Sequence, residues 1–481
     1  MRPPVFPVFL MALLAAALLP ACRRDTLTGT RAVPAASPSD AAAPARPKGR
    51  TAFTLFFTSQ NHGRLTPCGC FTGQFGGISR LRTALGDTGW LAGARPFGLD
   101  AGDALEGPED YHLLKYKQVV AAYSEMGYAA LNAGSTEAAL PASTLQWLAR
   151  QSPVPLVSAN LLDAATRRPA LPPFTVIRRN GYRIGIAGVV DPRLVRDTLG
   201  EGLEAEPVDT ALARILPDLK KDADVLILLA FTDEVTLAAL ARRFYEFRVI
   251  LGGKVSQPAQ ELVEENRSLV YYTGNESKSF GALELVAAAG SADLLPGRHE
   301  MALLHDRYEQ HPSILLLDAA YRREVRAAHL RLDSHAHNEE SQIPGVRAAA
   351  TYTGSAACIT CHPSAGEAWK RSLHAHAFET LVRRDADADP SCIGCHTVGF
   401  GTPSGYNRLL RQPEFTAVGC ESCHGPGSRH VAQRQFGGPA TFRFRPLATG
   451  DCMKCHHGEF SRPFDWDTFW PLVRHGKEPQ T

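Results

Sequence analysis

Cys358-Ile359-Thr360-Cys361-His362 is the first of four segments of one pattern in the last quarter of this 481-residue chain. The others are Cys392-Ile393-Gly394-Cys395-His396, Cys420-Glu421-Ser422-Cys423-His424 and Cys452-Met453-Lys454-Cys455-His456. Two thiols three positions apart can both form thioethers to the vinyl groups of one haem, and the histidine that follows lies under the iron as proximal ligand. Zinc competes for Cys-x-x-Cys pairs. A zinc ribbon, however, has no need of a histidine after every second cysteine, and here no pair lacks one. The spacing therefore predicts four covalently bound c-type haems, with His362, His396, His424 and His456 as proximal iron ligands.

Outward from these motifs, residues 349–481 form the predicted haem domain, mostly α-helix and loop. The motifs start about thirty residues apart. So little chain per haem leaves no room for an ordinary core, so the porphyrins must supply it and must lie close enough to pass electrons edge to edge. Distal ligands are sought among the remaining histidines. His374 and His376, if on one helix, point about 200° apart and cannot serve the same iron. His457 directly follows a proximal ligand and cannot reach the far face of its own haem. His374, His376, His430 and His475 remain as the candidate distal set. Trp369, Phe378, Phe400, Trp466 and Trp470 are expected to pack against porphyrin faces.

The words between the motifs carry a family resemblance. Tyr352-Thr353-Gly354-Ser355-Ala356-Ala357-Cys358, Glu367-Ala368-Trp369-Lys370-Arg371-Ser372-Leu373-His374-Ala375-His376-Ala377 and Val418-Gly419-Cys420 through His430 resemble the tetrahaem cytochrome c-554 family. The resemblance implies mostly bis-histidine haems and a role in carrying electrons. It also implies that one iron lacks a sixth protein ligand.

At the other end, Arg2 precedes an apolar run from Val5 to Leu19 that ends Leu19-Pro20-Ala21-Cys22. The run is too short to span a bilayer and has the length of a signal-peptide core. It resembles a bacterial lipoprotein signal, which implies a signal peptide over 1–21 and lipid on Cys22; an ordinary secretory peptide or an uncleaved anchor are the alternatives. Either way the chain is exported, to the periplasm or outer cell surface, as c-type haem attachment requires. Residues 22–50 are rich in Ala, Pro, Thr and Ser without periodicity and read as a tether.

Between 51 and 289 short apolar strands alternate with amphipathic stretches. Phe53–Thr58, Phe97–Leu99, Tyr128–Asn132, Val154–Ser158, Arg183–Val190, Val225–Phe231, Val249–Leu251 and Leu269–Thr273 read as strands. Ile78–Leu85, Leu113–Met126, Thr210–Leu219 and Val235–Phe244 read as helices, which predicts an α/β layered domain. The strand ends at Thr58–Leu65, Leu99–Asp103, Leu131–Glu137 and Ile250–Lys254 resemble the metallophosphoesterases, most of all the periplasmic 5′-nucleotidase branch with its sulfur-oxidation thiosulfohydrolase. The resemblance implies an αββα sandwich of calcineurin-like phosphoesterase type. Two-metal hydrolysis needs bridging carboxylates and imidazoles. At the family's ligand positions this chain keeps His62 and Asp103, but has Gln60, Ser135, Thr136, Phe231, Lys254 and Ser256 elsewhere. A degenerate scaffold without a dinuclear metal centre is therefore expected.

Cys68-Gly69-Cys70 follows the first strand close to His62. Thiols two apart close only a strained, easily reduced ring, which suits redox chemistry; two buried thiols or a static bridge fit equally well. Residues 290–348 are charged and read as a helical connector, with Ser313–Leu330 at helical spacing.

Hydrophobic content of 44%, charged content of 21% and a net charge of +2 are ordinary globular values and point to no nucleic acid. Of 11 cysteines, eight lie in the motifs and the rest are Cys22, Cys68 and Cys70, so no disulfide framework is left. Taken together the residues predict a lipid-anchored tetrahaem electron carrier that meets redox partners of the envelope electron-transport chain. The alternatives are a nucleotidase-like hydrolase with accessory haems, and a multihaem reductase of a small nitrogen or sulfur compound.

Overall fold

The computed structural model describes residues 51–67, 75–92, 96–274, 277–288, 293–335, 350–437, 444, 446–457 and 464–476. All of them fall in one compact unit. The strands in chain order are β1 (Thr51–Thr58), β2 (Phe97–Asp100), β3 (Tyr128–Asn132), β4 (Leu156–Val157), β5 (Leu161–Asp163), β6 (Phe174–Arg179) and β7 (Tyr182–Val190). They continue as β8 (Leu203–Ala205), β9 (Val225–Phe231), β10 (Phe247–Gly252), β11 (Val263–Glu265), β12 (Ser268–Tyr272), β13 (Ser279–Ala287) and β14 (Leu294–Leu303).

Side chains alternate across a strand, so a run apolar at every position must be covered on both faces. β1 sends Phe53, Leu55 and Phe57 to one side and Phe56 to the other; β9 divides Ile227 and Leu229 from Leu226, Leu228 and Ala230. Two six-stranded sheets result, ordered β14-β13-β1-β2-β3-β4 and β11-β12-β10-β9-β7-β6, with β5 and β8 as a separate pair. β1, β2, β3 and β4 run parallel, as do β7, β9, β10 and β12. Phe53, Phe57 and Leu99 of the first sheet meet Ile186, Ile227 and Val249 of the second in one core cluster. Helices Ile78–Asp87 and Asp110–Glu125 cover the outer face of the first sheet through Leu81, Leu85, Val119 and Tyr123. Val208–Asp222 and Glu234–Arg243 cover the second through Leu212, Leu219 and Leu237. The layers are αββα.

One boundary differs from the expectation. The helical connector was to begin at 290, yet β14 pairs antiparallel with β13 and closes the first sheet. As an edge strand it is largely exposed, and Pro296, Gly297, Arg298 and His299 break the apolar alternation that marks a strand. The predicted connector helix follows as Pro312–Ala327 and packs on the Asp110–Glu125 helix. Among the described residues no helix is long and apolar enough to cross a membrane; the Val5–Leu19 run and Cys22 lie outside them.

The connector bolts the sandwich to the haem domain. Arg408, 1% exposed, gives Asp333 two hydrogen bonds of 2.8 and 2.7 Å and gives a third, also 2.8 Å, to the Val325 carbonyl. Arg326 makes a second fork onto Asp387 at 3.1 and 2.7 Å, and the Tyr321 hydroxyl donates to Asp389 at 2.9 Å. Removing one partner of a buried pair leaves the other charge stranded. Arg408→Ala is therefore expected to weaken this docking by about 3–5 kcal/mol, read as a lower unfolding midpoint and faster proteolysis in the connector.

Candidate functional site

In the sandwich, β1, β2, β3, β9 and β10 end together, where parallel sheets hold ligands. The loops after β1 and β2 are laced by Gln60 N to the Gly102 carbonyl (2.8 Å), His62 N to Asp103 O (3.0 Å) and Gly63 N to Ala104 O (3.0 Å). Gln60, His62 and Asp103 all take left-handed backbone, with φ of 52°, 49° and 59°. A Cβ on Gly134 would lie 2.4 Å from the Asp103 amide nitrogen and carboxylate, so only glycine lets the β3 loop approach.

The Asp103 carboxylate is already occupied. It accepts from the Ser135 hydroxyl at 2.9 and 3.1 Å, from Thr136 N at 2.8 Å and from the Thr136 hydroxyl at 3.2 Å. Glu137 is likewise spent on the amides of Asp103, Leu105 and Gly134, and burial, then the Asp103 charge, pushes its pKa up. With its amide oriented to satisfy both ends, Gln60 donates to the Gly253 carbonyl at 3.0 Å and accepts from Lys254 Nζ at 3.3 Å. That ammonium also stands over the Phe231 ring at 5.9 Å. Asp191 and Asp233 cap short helical starts through Arg193 N and Thr236 N. Among the described residues, no three His, Cys, Asp or Glu side chains converge to hold a metal ion. Cys68 and Cys70 lie outside the described residues.

In the haem domain each motif is wound into a helical turn, which puts its two thiols and its histidine on one side. The turns are Ser355–Ile359 running into His362, Pro390–His396, Cys420–His424, and Thr449–Cys452 running into His456. Amides of His362 and His456 close the turn onto the Cys358 and Cys452 carbonyls at 3.0 and 2.9 Å. None of the eight motif cysteines is in a disulfide, and all are at least partly accessible. Thiols of Cys358 and Cys420 touch, as do those of Cys395 and Cys455, so the first motif lies beside the third and the second beside the fourth.

Histidine rings face one another in three pairs. His362 and His430 have centroids 6.2 Å apart, His456 and His374 6.0 Å, and His424 and His475 6.0 Å. Two imidazoles on opposite sides of one iron, each nitrogen about 2 Å from the metal, require roughly 6 Å between rings. Burial lowers the pKa of His374, His424, His430 and His456, which favours the neutral, ligating form. Among the described residues His396 has no such counterpart; its Nδ1 is 2.7 Å from the Ala377 carbonyl. His376 is not brought to any motif. It lies half-exposed beside Glu379 at 3.4 Å, at the end of the 3₁₀ turn Leu373–His376.

The rest of the domain fits haem as well. Among the described residues its buried apolar cluster is only Leu381, Ala386, Ile393, Val398, Tyr406 and Phe415, too little to hold so many residues without porphyrin. The Tyr406 hydroxyl is buried with no partner among the described residues, an orphan that a haem edge would satisfy. Sequence reasoning missed Glu421, the second residue of the third motif. Its buried carboxylate accepts from the amides of Thr353 (3.0 Å), Gly354 (2.8 Å) and Gly427 (2.7 Å), tying the approach to the first motif onto the third. A glutamate between two haem cysteines gives no local signal of that role.

One carboxyl at the sandwich strand ends yields a prediction. Burial pushes Asp100 up to about 7, although Thr58, the Gly102 amide and Tyr123 hydrogen-bond it. Its folded value lies above the unfolded one, so the folded state holds the extra proton and the fold weakens as pH rises from about 4 to about 7. Asp100→Asn is expected to flatten that part of a stability–pH profile measured by denaturant unfolding.

Residues 357–425 match the family described as Cytochrome c554 and c-prime. Cytochrome c-554 of Nitrosomonas europaea is 36% identical over 106 residues, which cover 19% of this chain and 45% of that protein, so the chain spans under half of this relative's length. Its reduced-state structure is 26% identical over 27% of this chain and 80% of its own, with a TM-score of 0.20. The sulfate thiohydrolase SoxB of Thermus thermophilus is 15% identical over 57% of this chain and 61% of its own, at a TM-score of 0.49. A 5′-nucleotidase precursor, also from Thermus thermophilus, is 22% identical over 60% of this chain and 66% of its own, at 0.48. The chain joins an αββα sandwich to a C-terminal segment of which residues 357–425 match the Cytochrome c554 and c-prime family.

Proposed function

We propose that the protein is an exported, lipid-anchored tetrahaem c-type cytochrome that carries electrons in the cell envelope, its sandwich being a non-hydrolytic domain. The observation that carries this reading is the facing of three histidine pairs at 6.0–6.2 Å, each pair with one motif histidine. In it His430, His475 and His374 would join His362, His424 and His456 in holding three irons. His376 leaves the ligand set. Haem, when bound, supplies one-electron chemistry, and the protein sets its potential through ligands, burial and hydrogen bonds. The Ala377 carbonyl would fix the tautomer of His396 by accepting from Nδ1–H, leaving Nε2 as the nitrogen that would hold iron. Adjacency of the first motif to the third and of the second to the fourth supports electron passage between them.

Export through the Val5–Leu19 segment and lipid on Cys22 would place the domain where c-type maturation occurs and where redox partners of the envelope chain are met. The sandwich is read as non-hydrolytic because Asp103 is saturated by hydroxyls and an amide, and because Lys254 brings its own cation to Gln60. Cys68 and Cys70 are proposed as a redox thiol pair on the loop after β1. A second reading, a reductase of a small nitrogen or sulfur compound, is favoured by His396 alone, since an iron without a second imidazole is open to a ligand.

Haem analysis of the purified exported chain is expected to give four haems, three low-spin and one high-spin in the oxidised state. His430→Ala is expected to raise the high-spin share from one iron to two. A colourless protein, or one loaded with zinc on those sulfurs, would overturn the proposal, and phosphoester turnover with manganese would overturn the non-hydrolytic part.

A further inference from the structure

The Asp110–Glu125 helix belongs to the sandwich, yet its Lys115 ends against the second haem-attachment turn. Lys115 Nζ lies 2.7 Å from Glu106 Oε2 and 3.2 Å from Ser391 Oγ, and stands over the Tyr321 ring at 5.2 Å. Ser391 directly precedes Cys392. Asp389 caps the same turn, its Oδ1 accepting from Ser391 N at 3.0 Å and from the Tyr321 hydroxyl at 2.9 Å. Glu106 also faces His112 at 3.8 Å. Lys115 and Glu106 are 14% and 24% exposed, so water screens them poorly. Burial works against the Lys115 charge, but Asp389 and Glu106 more than restore it and hold the ammonium above its ordinary value. Glu106, opposed by burial in the same way, is kept below the usual carboxylate range by Lys115 and then His112.

We propose that Lys115, with Glu106 as its counter-charge, is a potential-setting residue for the haem attached at Cys392 and Cys395. The inference rests on the tetrahaem reading above. Ferric haem carries one more positive charge than ferrous, so a buried ammonium beside the thioether favours the reduced state and raises the potential. A buried carboxylate does the opposite. The reaction is a one-electron change at iron, the electron coming from a redox partner or an electrode. Through this contact the sandwich tunes the haem domain: its role is electrostatic rather than hydrolytic.

Spectroelectrochemical titration of the full, haem-loaded chain tests the assignment. Lys115→Met is expected to lower one of the four midpoints by about tenfold in reduction equilibrium constant, about 59 mV for one electron. Glu106→Gln is expected to move the same haem upward, and Lys115→Arg to leave it near the wild-type value. Unchanged midpoints, all four shifting together, or both neutralising variants shifting the same way would overturn the proposal. If Lys115→Met fails to fold, the upward shift in Glu106→Gln decides alone. Haem counts on the wild-type sample separate the premises: fewer than four sinks the tetrahaem reading, whereas four haems with no opposite-signed shifts sinks only the role of Lys115.

Discussion

Axial ligation by two imidazoles is a rigid ruler, since the iron between them sets how far apart the rings can stand. Three histidine pairs in the last domain stand about that far apart, at 6.0–6.2 Å. Its four motif turns come from distant parts of the sequence, and so do His374, His430 and His475, yet the chain returns each of these three to face a motif histidine. The short helices, the buried Glu421 and the Trp369 indole bonded to the Val418 carbonyl at 2.9 Å serve to hold those turns in register. The buried apolar cluster of this domain is small among the described residues, which suits the proposed haem core.

In the sandwich the polar groups at the strand ends are committed to one another. Two divalent ions need several uncommitted carboxylates and imidazoles in one cleft. Here the strand ends converge as the fold demands, but their polar groups satisfy one another: hydroxyls and amides fill Asp103, backbone amides fill Glu137, and Lys254 sits against Gln60. Such mutual satisfaction stabilises the loops themselves. Gln60, His62 and Asp103 hold left-handed backbone where these loops meet.

Much of the fold was legible, and the exceptions share a cause. β1 and β9 are buried on both faces, so they read as unbroken apolar runs and were placed within two residues. β14, an exposed edge with proline and glycine inside it, carries no such mark and was read as connector. Haem attachment was legible because thioether chemistry demands a fixed local spacing. Partnership between distal and motif histidines was not, because it depends on how separate turns meet in space. Arg408 and Lys115 were missed for the same reason. Among 51 basic residues nothing local distinguishes two whose contacts with Asp333 and Ser391 span 75 and 276 positions.

The scarcity of apolar side chains in the last domain has a bearing on how the molecule is assembled. If haems supply the interior of this segment, as proposed, its final form depends on their attachment, whereas the sandwich has a complete core of its own. Asp333 and Arg326 on the connector hold that segment against the sandwich through Arg408 and Asp387.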